Sequence, residues 1–169
     1  MGSAAYGCYL ETLARFLPDM TFYAELAEIA GPTDHVEPGI MPADWRDKRR
    51  LGTARADGDH ADVGHSLWIA AIRRELAREI LAAGFTDFDA HVLYMTVRRT
   101  LTQQISKIVF ENRLDGIRYL SKHGSDAECW AIFEGRVILR DSEEEGPISS
   151  ADPELRRAMV TYDLAFSDD

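Results

Sequence analysis

Asp115-Gly116-Ile117-Arg118-Tyr119-Leu120-Ser121, followed after a short polar turn by Glu128-Cys129-Trp130-Ala131-Ile132-Phe133-Glu134, is the stretch that decides the fold. Gly116 ends the helical pattern before it, and Ile117, Tyr119 and Leu120 favour extended backbone. Lys122-His123-Gly124-Ser125-Asp126 supplies turn chemistry, so the segment predicts two neighbouring strands that deliver a serine to a turn. A hydroxyl at the end of a buried strand is placed to touch a ligand. Ser121 could equally do no more than start the turn.

Outward from this pair the periodicity predicts helices before it and more strand after it. Cys8 to Leu17 carries apolar residues at helical spacing and stops before Pro18, and Glu11 lies within it. Phe22 to Ile29 predicts a second short helix closed by Gly31-Pro32. Trp45 to Arg50 is a charged segment around one aromatic anchor, read as a solvated helical turn. Asp57-Gly58 predicts a tight hairpin between two short β-like runs within Leu51 to Val63. Ser66 to Ala83 reads as one long helix capped by Ser66, with Ile69, Ile72, Leu76 and Ile80 as its apolar stripe, and Gly84 stops it. Thr100 to Asn112 reads as another helix.

After Phe133, Val137-Ile138-Leu139 predicts a third strand of a meander, and Glu143 to Pro147 an acidic loop. Asp152-Pro153 predicts a capped terminal helix. This order implies one α+β domain, a small mixed β-sheet flanked by helices, with its core over about residues 7–140 and a C-terminal helix over about 152–165.

Composition bounds the function classes. A chain of 169 residues, 46% hydrophobic and 28% charged, holds a core of useful size. No apolar run is long enough to span a membrane, and the first residues lack the basic segment of a secretory signal, so the expectation is a cytoplasmic protein. A net charge of −10 opposes a phosphate backbone, so no direct nucleic-acid binding is expected. Cys8 and Cys129 form no CxxC pair, and the histidines at 35, 60, 65, 91 and 123 never occur in a zinc motif, so no metal is expected. Glycine-rich phosphate loops and a GxSxG elbow are absent.

The block Leu51-Gly52-Thr53-Ala54-Arg55, then Leu101-Thr102-Gln103-Gln104-Ile105-Ser106, Asp115 to Gly124 and Cys129 to Glu134 resembles the RES-domain family, named for an arginine, a glutamate and a serine in its site. Cys8 to Phe16 looks like the family's glutamate-bearing helix, with Glu11 at that position, and Ser121 matches the serine. The resemblance covers nearly the whole chain, and each motif alone is loose.

It implies an ADP-ribosyltransferase-like fold that cleaves the nicotinamide–ribose bond of NAD+ by hydrolysis or phosphorolysis, with NAD+ as substrate, phosphate as a co-substrate and a helix-turn-helix antitoxin as partner. In that reading Glu11 stabilises the charge that builds on the ribose and Ser121 holds the ribose, while Arg55, Arg118, Tyr119 and His123 are substrate-binding candidates. Each has a structural alternative: Tyr119 could simply pack, His123 could be a surface histidine and Arg55 could pair with Asp57. In the family, the named arginine and a site tyrosine precede the glutamate on opening strands. Only ten residues precede Glu11 here, and no arginine matches, so the resemblance implies an N-terminally incomplete or degenerate member. The alternative function is therefore an inactive RES-like binding module, with a protein ADP-ribosyltransferase as a further one.

Overall fold

The computed structural model describes residues 2, 4–31, 36–95 and 99–167, with the backbone alone at 144 and 145. The predicted stop at Pro32 and the histidine at 35 lie outside the described residues. Helices α1 (Ala5–Leu13) and α2 (Met20–Ala30) open the chain, and strands β1 (Gly39–Met41), β2 (Arg50–Ala56) and β3 (His60–Asp62) follow. Helices α3 (Ser66–Glu75), α4 (Ala77–Ala82), α5 (Ala90–Met95) and α6 (Arg99–Glu111) lead into strands β4 (Gly116–Ser121), β5 (Gly124–Ile132) and β6 (Leu139–Pro147). Helix α7 (Pro153–Tyr162) and strand β7 (Leu164–Phe166) complete the order.

The predicted strand pair forms. β4 and β5 run antiparallel with Ile117 opposite Ala131 and Tyr119 opposite Cys129, and β3 joins the other edge of β4 in parallel. The result is a small mixed sheet, as the pattern implied. Position 116 must be glycine, because a Cβ there would stand 2.5 Å from the Ala131 carbonyl oxygen and 2.8 Å from the His60 ring. The turn is tighter than the sequence suggests: Ser121 already pairs with Gly124, so only Lys122 and His123 lie between the strands.

Two apolar cores cover this sheet's neighbourhood. One gathers Tyr6, Tyr9, Leu10 and Leu13 of α1 with Leu155 and Ala158 of α7, Met41 and Trp45. Tyr9 Oη donates to Asp152 Oδ2 at 3.0 Å and Tyr6 Oη lies 3.1 Å from Thr161 Oγ1, so α1 is tied to both ends of α7. The predicted cap is present, with Asp152 Oδ1 accepting from the Glu154 and Leu155 amides. The other core joins Ala61 and Val63 to Ile72, Leu76 and Ile80, to Leu101, Ile105 and Val109 of α6, and to Ile117. α2 is capped by Asp19 and has no buried residue.

Several expectations are corrected. The chain bends at Gly58, but the tight hairpin turn is absent and the strands flanking Asp57-Gly58 do not pair with each other. The Asp115 carboxylate accepts from the Asp59 amide at 2.8 Å and the Asp115 amide donates to the Asp59 carbonyl at 2.7 Å, which steers β3 to β4. β2 instead pairs antiparallel with β6, so Glu143 to Pro147 is strand rather than loop, and the third meander strand leaves the β4–β5 sheet. The long helix from Ser66 is interrupted at Leu76, which has φ −108° and ψ 21°, and this keeps Ile72, Leu76 and Ile80 in one core. Its cap is His65, which accepts from the Leu67 amide, rather than Ser66.

Candidate active site

The packing of α1 decides where Glu11 goes. Tyr6, Tyr9, Leu10 and Leu13 face the core, and Gly7 lies against Ala127 of β5, where an added Cβ would be in ordinary contact at 3.6 Å. Glu11 falls on the flank that this leaves free, beside the end of β4. There it meets Ser121, the one polar side chain among the described residues that is fully buried, at 6% exposure.

Ser121 Oγ donates to Glu11 Oε1 at 2.5 Å across 110 positions of sequence. Such a short distance is that of a hydrogen bond strengthened by a carboxylate. The His123 amide donates to the same Ser121 oxygen at 3.0 Å. A hydroxyl has one proton and two lone pairs, so Ser121 keeps one acceptor position open. Cys129 directs its thiol at Glu11 Oε1 from 3.8 Å, and Oε2 has no partner among the described residues. Glu11 is thus held by one oxygen and offers the other.

Glu11 lines a cleft of about 360 Å³ with Tyr94, Tyr119, Lys122, Thr102 and Ser106, over an apolar floor of Val63, Ile105 and Ile117. The volume lies near the lower end of small-molecule sites. The thiol, phenols and imidazole around Glu11 are kept neutral near pH 7. Burial pushes the Cys129 thiol up to about 11 and the Tyr162 phenol up to about 12, and the charge of Glu11 adds to both. Burial first and the Cys129 and Glu11 charges next also raise Tyr119. The His123 imidazole is lowered, mainly by burial and partly by Lys122, against the opposing pull of Glu11. Lys122 is the only cationic side chain lining the cleft among the described residues.

Of the candidates chosen from sequence, Glu11, Ser121, Tyr119 and His123 are brought together, and Arg55 and Arg118 are not. Arg118 points to the other face of the sheet, where its Nη1 is 2.6 Å from Asp62 Oδ2 and its Nη2 2.8 Å from Glu128 Oε2. The Glu128 hydrogen bond and the Asp62 charge outweigh desolvation and raise its pKa. Arg55 lies exposed on β2, 4.0 Å from Asp141 Oδ2 rather than beside Asp57, and does not line the cleft. His123 contributes its amide, while its ring packs edge-to-face on Tyr162 with centroids 6.1 Å apart. Tyr94, Lys122 and Tyr162 were not singled out from sequence. Lys122, next to Ser121, had the one local signal; Tyr94 and Tyr162 arrive from distant helices.

Among the described residues no cluster of His, Cys, Asp and Glu could hold a metal ion, and no helix is long and apolar enough to cross a membrane. Comparison of the chain with family models, with curated proteins and with solved structures finds no match. The RES resemblance therefore stands on its own residues. What is shown is a mixed α+β chain in which the buried Ser121 holds Glu11, and Glu11 lines a cleft.

Proposed function

We propose that this chain cleaves the nicotinamide–ribose bond of NAD+, with Glu11 as the catalytic carboxylate and Ser121 as the residue that orients it. The observation that carries the reading is the 2.5 Å hydrogen bond from Ser121 to Glu11, which lines the cleft. In this reaction the electron pair of the glycosidic bond leaves with the nicotinamide ring, neutralising its positive charge. Positive charge then builds on the ribose carbon, and water or phosphate adds there with loss of a proton. A carboxylate with one oxygen fixed and one free is suited to stabilise that carbon. The thiol, phenols and imidazole around it are neutral, so among the described residues lining the cleft Lys122 is the one side chain that opposes its charge.

A second reading, a RES-like module that binds without turnover, is favoured by one observation. Arg55 and Arg118 are engaged away from the cleft, which leaves Lys122 as the cation there for a pyrophosphate.

The test is incubation of purified protein with NAD+, with and without phosphate, measuring nicotinamide, ribosyl products and label transferred to protein. The expected result is nicotinamide release that falls by about 10²–10³-fold in Glu11→Ala, the scale of losing one preorganised electrostatic stabiliser. Turnover unchanged by Glu11→Ala removes the residue from the chemistry. Saturable NAD+ binding without turnover establishes the binding module, and ADP-ribose on protein establishes a transferase.

A further inference from the structure

Helix α2 leaves an apolar stripe in water. Its inward face is marked by Tyr23 and Ala27, the two half-buried positions, and Tyr23 Oη accepts from the Glu37 amide at 3.0 Å. Away from that face, Phe22, Leu26 and Ile29 recur at i, i+4 and i+7 and share one line along the helix, 57%, 38% and 86% exposed. Leu17 and Met20, just before them, are exposed as well. A helix of 11 residues is marginal in water on its own and takes most of its stability from packing an apolar face. Large apolar side chains aligned on the solvent side of such a helix mark an interaction surface.

The charge around the stripe decides what fits it. From position 16 to position 45 the sequence holds Asp19, Glu25, Glu28, Asp34, Glu37 and Asp44, and no lysine or arginine. Glu25 and Glu28 are exposed on α2 beside the stripe, and at i, i+3 spacing they repel each other. Glu28 also stands in the last turn, where the helix dipole favours a cation and no basic residue is present. A cationic partner removes both costs. A second copy would bring like charge against like, since the whole chain carries −10, and an anionic membrane surface would be repelled in the same way.

We infer that α2 docks a cationic amphipathic helix of a partner protein, whose apolar residues cover Phe22, Leu26 and Ile29 and whose lysines or arginines pair with Glu25 and Glu28. None of these residues lines the cleft at Glu11, so the inference does not rest on the proposed reaction.

The experiment is titration of the full chain with two fluorescently labelled amphipathic peptides that share one leucine pattern, one with lysine at its polar positions and the other with glutamate. Anisotropy should show saturable binding of the lysine peptide, at least about tenfold tighter than the glutamate peptide. Phe22→Ser and Ile29→Ser should each weaken the lysine peptide by about tenfold. Both positions are exposed, and either variant carries the test if the other misfolds. The double reversal Glu25→Lys and Glu28→Lys should invert the preference between the peptides. Glu134→Lys with Glu143→Lys makes the same change of net charge at exposed positions outside α2, and should leave the lysine peptide within about twofold. No saturable binding of the lysine peptide, or equal weakening by the two double reversals, overturns the proposal, the latter by making the attraction a property of the whole chain. A dimer in sedimentation that Ile29→Ser dissolves, or binding to phosphatidylglycerol vesicles that the same variant abolishes, assigns the stripe to another occupant and overturns it as well.

Discussion

Arg118 and Ser121 stand on the same strand, each meets carboxylates brought by other elements, and the outcomes are opposite. Arg118 reaches Asp62 of β3 and Glu128 of β5 with its two terminal nitrogens, so one cation is shared by two carboxylates and the three strands are tied together. Ser121 reaches Glu11 of α1 with one neutral proton, which fixes the carboxylate without neutralising it. The alternation of a β-strand separates the two settings onto opposite faces. A closed ionic clamp holds a sheet, whereas an oriented carboxylate beside a cleft retains a field that can act on something else. The same comparison explains why an arginine adjacent to a candidate serine is a poor guess for a ligand contact. Its neighbours across the sheet had already supplied its counter-ions.

Removing the serine hydroxyl should have the largest effect in this comparison. Ser121→Ala frees Glu11 to adopt several rotamers, and nicotinamide release should fall by about 10–10²-fold, chiefly in kcat, because a misaligned group loses transition-state stabilisation rather than ground-state binding. Fold should be retained, which urea melts would check. A loss confined to KM would instead make Ser121 a simple substrate contact.

The clamp predicts the converse. Arg118→Leu leaves Asp62 and Glu128 facing each other without their cation. All three side chains are roughly one-third exposed, at 30%, 39% and 28%, so the loss is screened and should reach about 1–2 kcal/mol of stability rather than that of a fully buried pair. Nicotinamide release by the folded fraction should stay within about twofold of the parent, on the scale of a change with no contact to the cleft. A large drop in turnover with unchanged stability would break the separation of the two faces.

The strand pair, the turn after Ser121 and the Asp152 cap were legible because each is written in local chemistry: β-formers around a glycine, polar turn residues, an acid before proline. The partner of β2 was not. Strand β6 shows no apolar alternation, with Arg140, Asp141 and Glu143 exposed, so a solvated edge strand looks like an acidic loop. The Glu11–Ser121 contact spans 110 positions, and no periodicity reports a pairing that long. It was reached through resemblance. Tyr162 was invisible for a related reason: its place near Glu11 depends on α7 docking on α1 through Tyr6 and Tyr9, a tertiary fact carried by residues at opposite ends of the chain.

The smallest effect sharpens the site side of the comparison. The His123 imidazole packs against Tyr162 within reach of the Glu11 charge, and burial lowers its pKa from the ordinary 6.5. The unfolded chain then binds a proton more readily than the folded one as pH falls. Stability from the neutral ring is fully present above about pH 6.5 and is lost progressively as pH falls toward the lower folded-state value. His123→Gln removes this dependence but keeps the backbone amide that holds Ser121. Urea melts of both proteins at about pH 7.5 and about pH 5.5 isolate the term from the carboxylates they share, since the ordinary histidine value lies between these conditions. The parent should lose more stability between the two conditions than the variant. An equal loss would mean that the ring is solvated and only the amide of His123 belongs to the site.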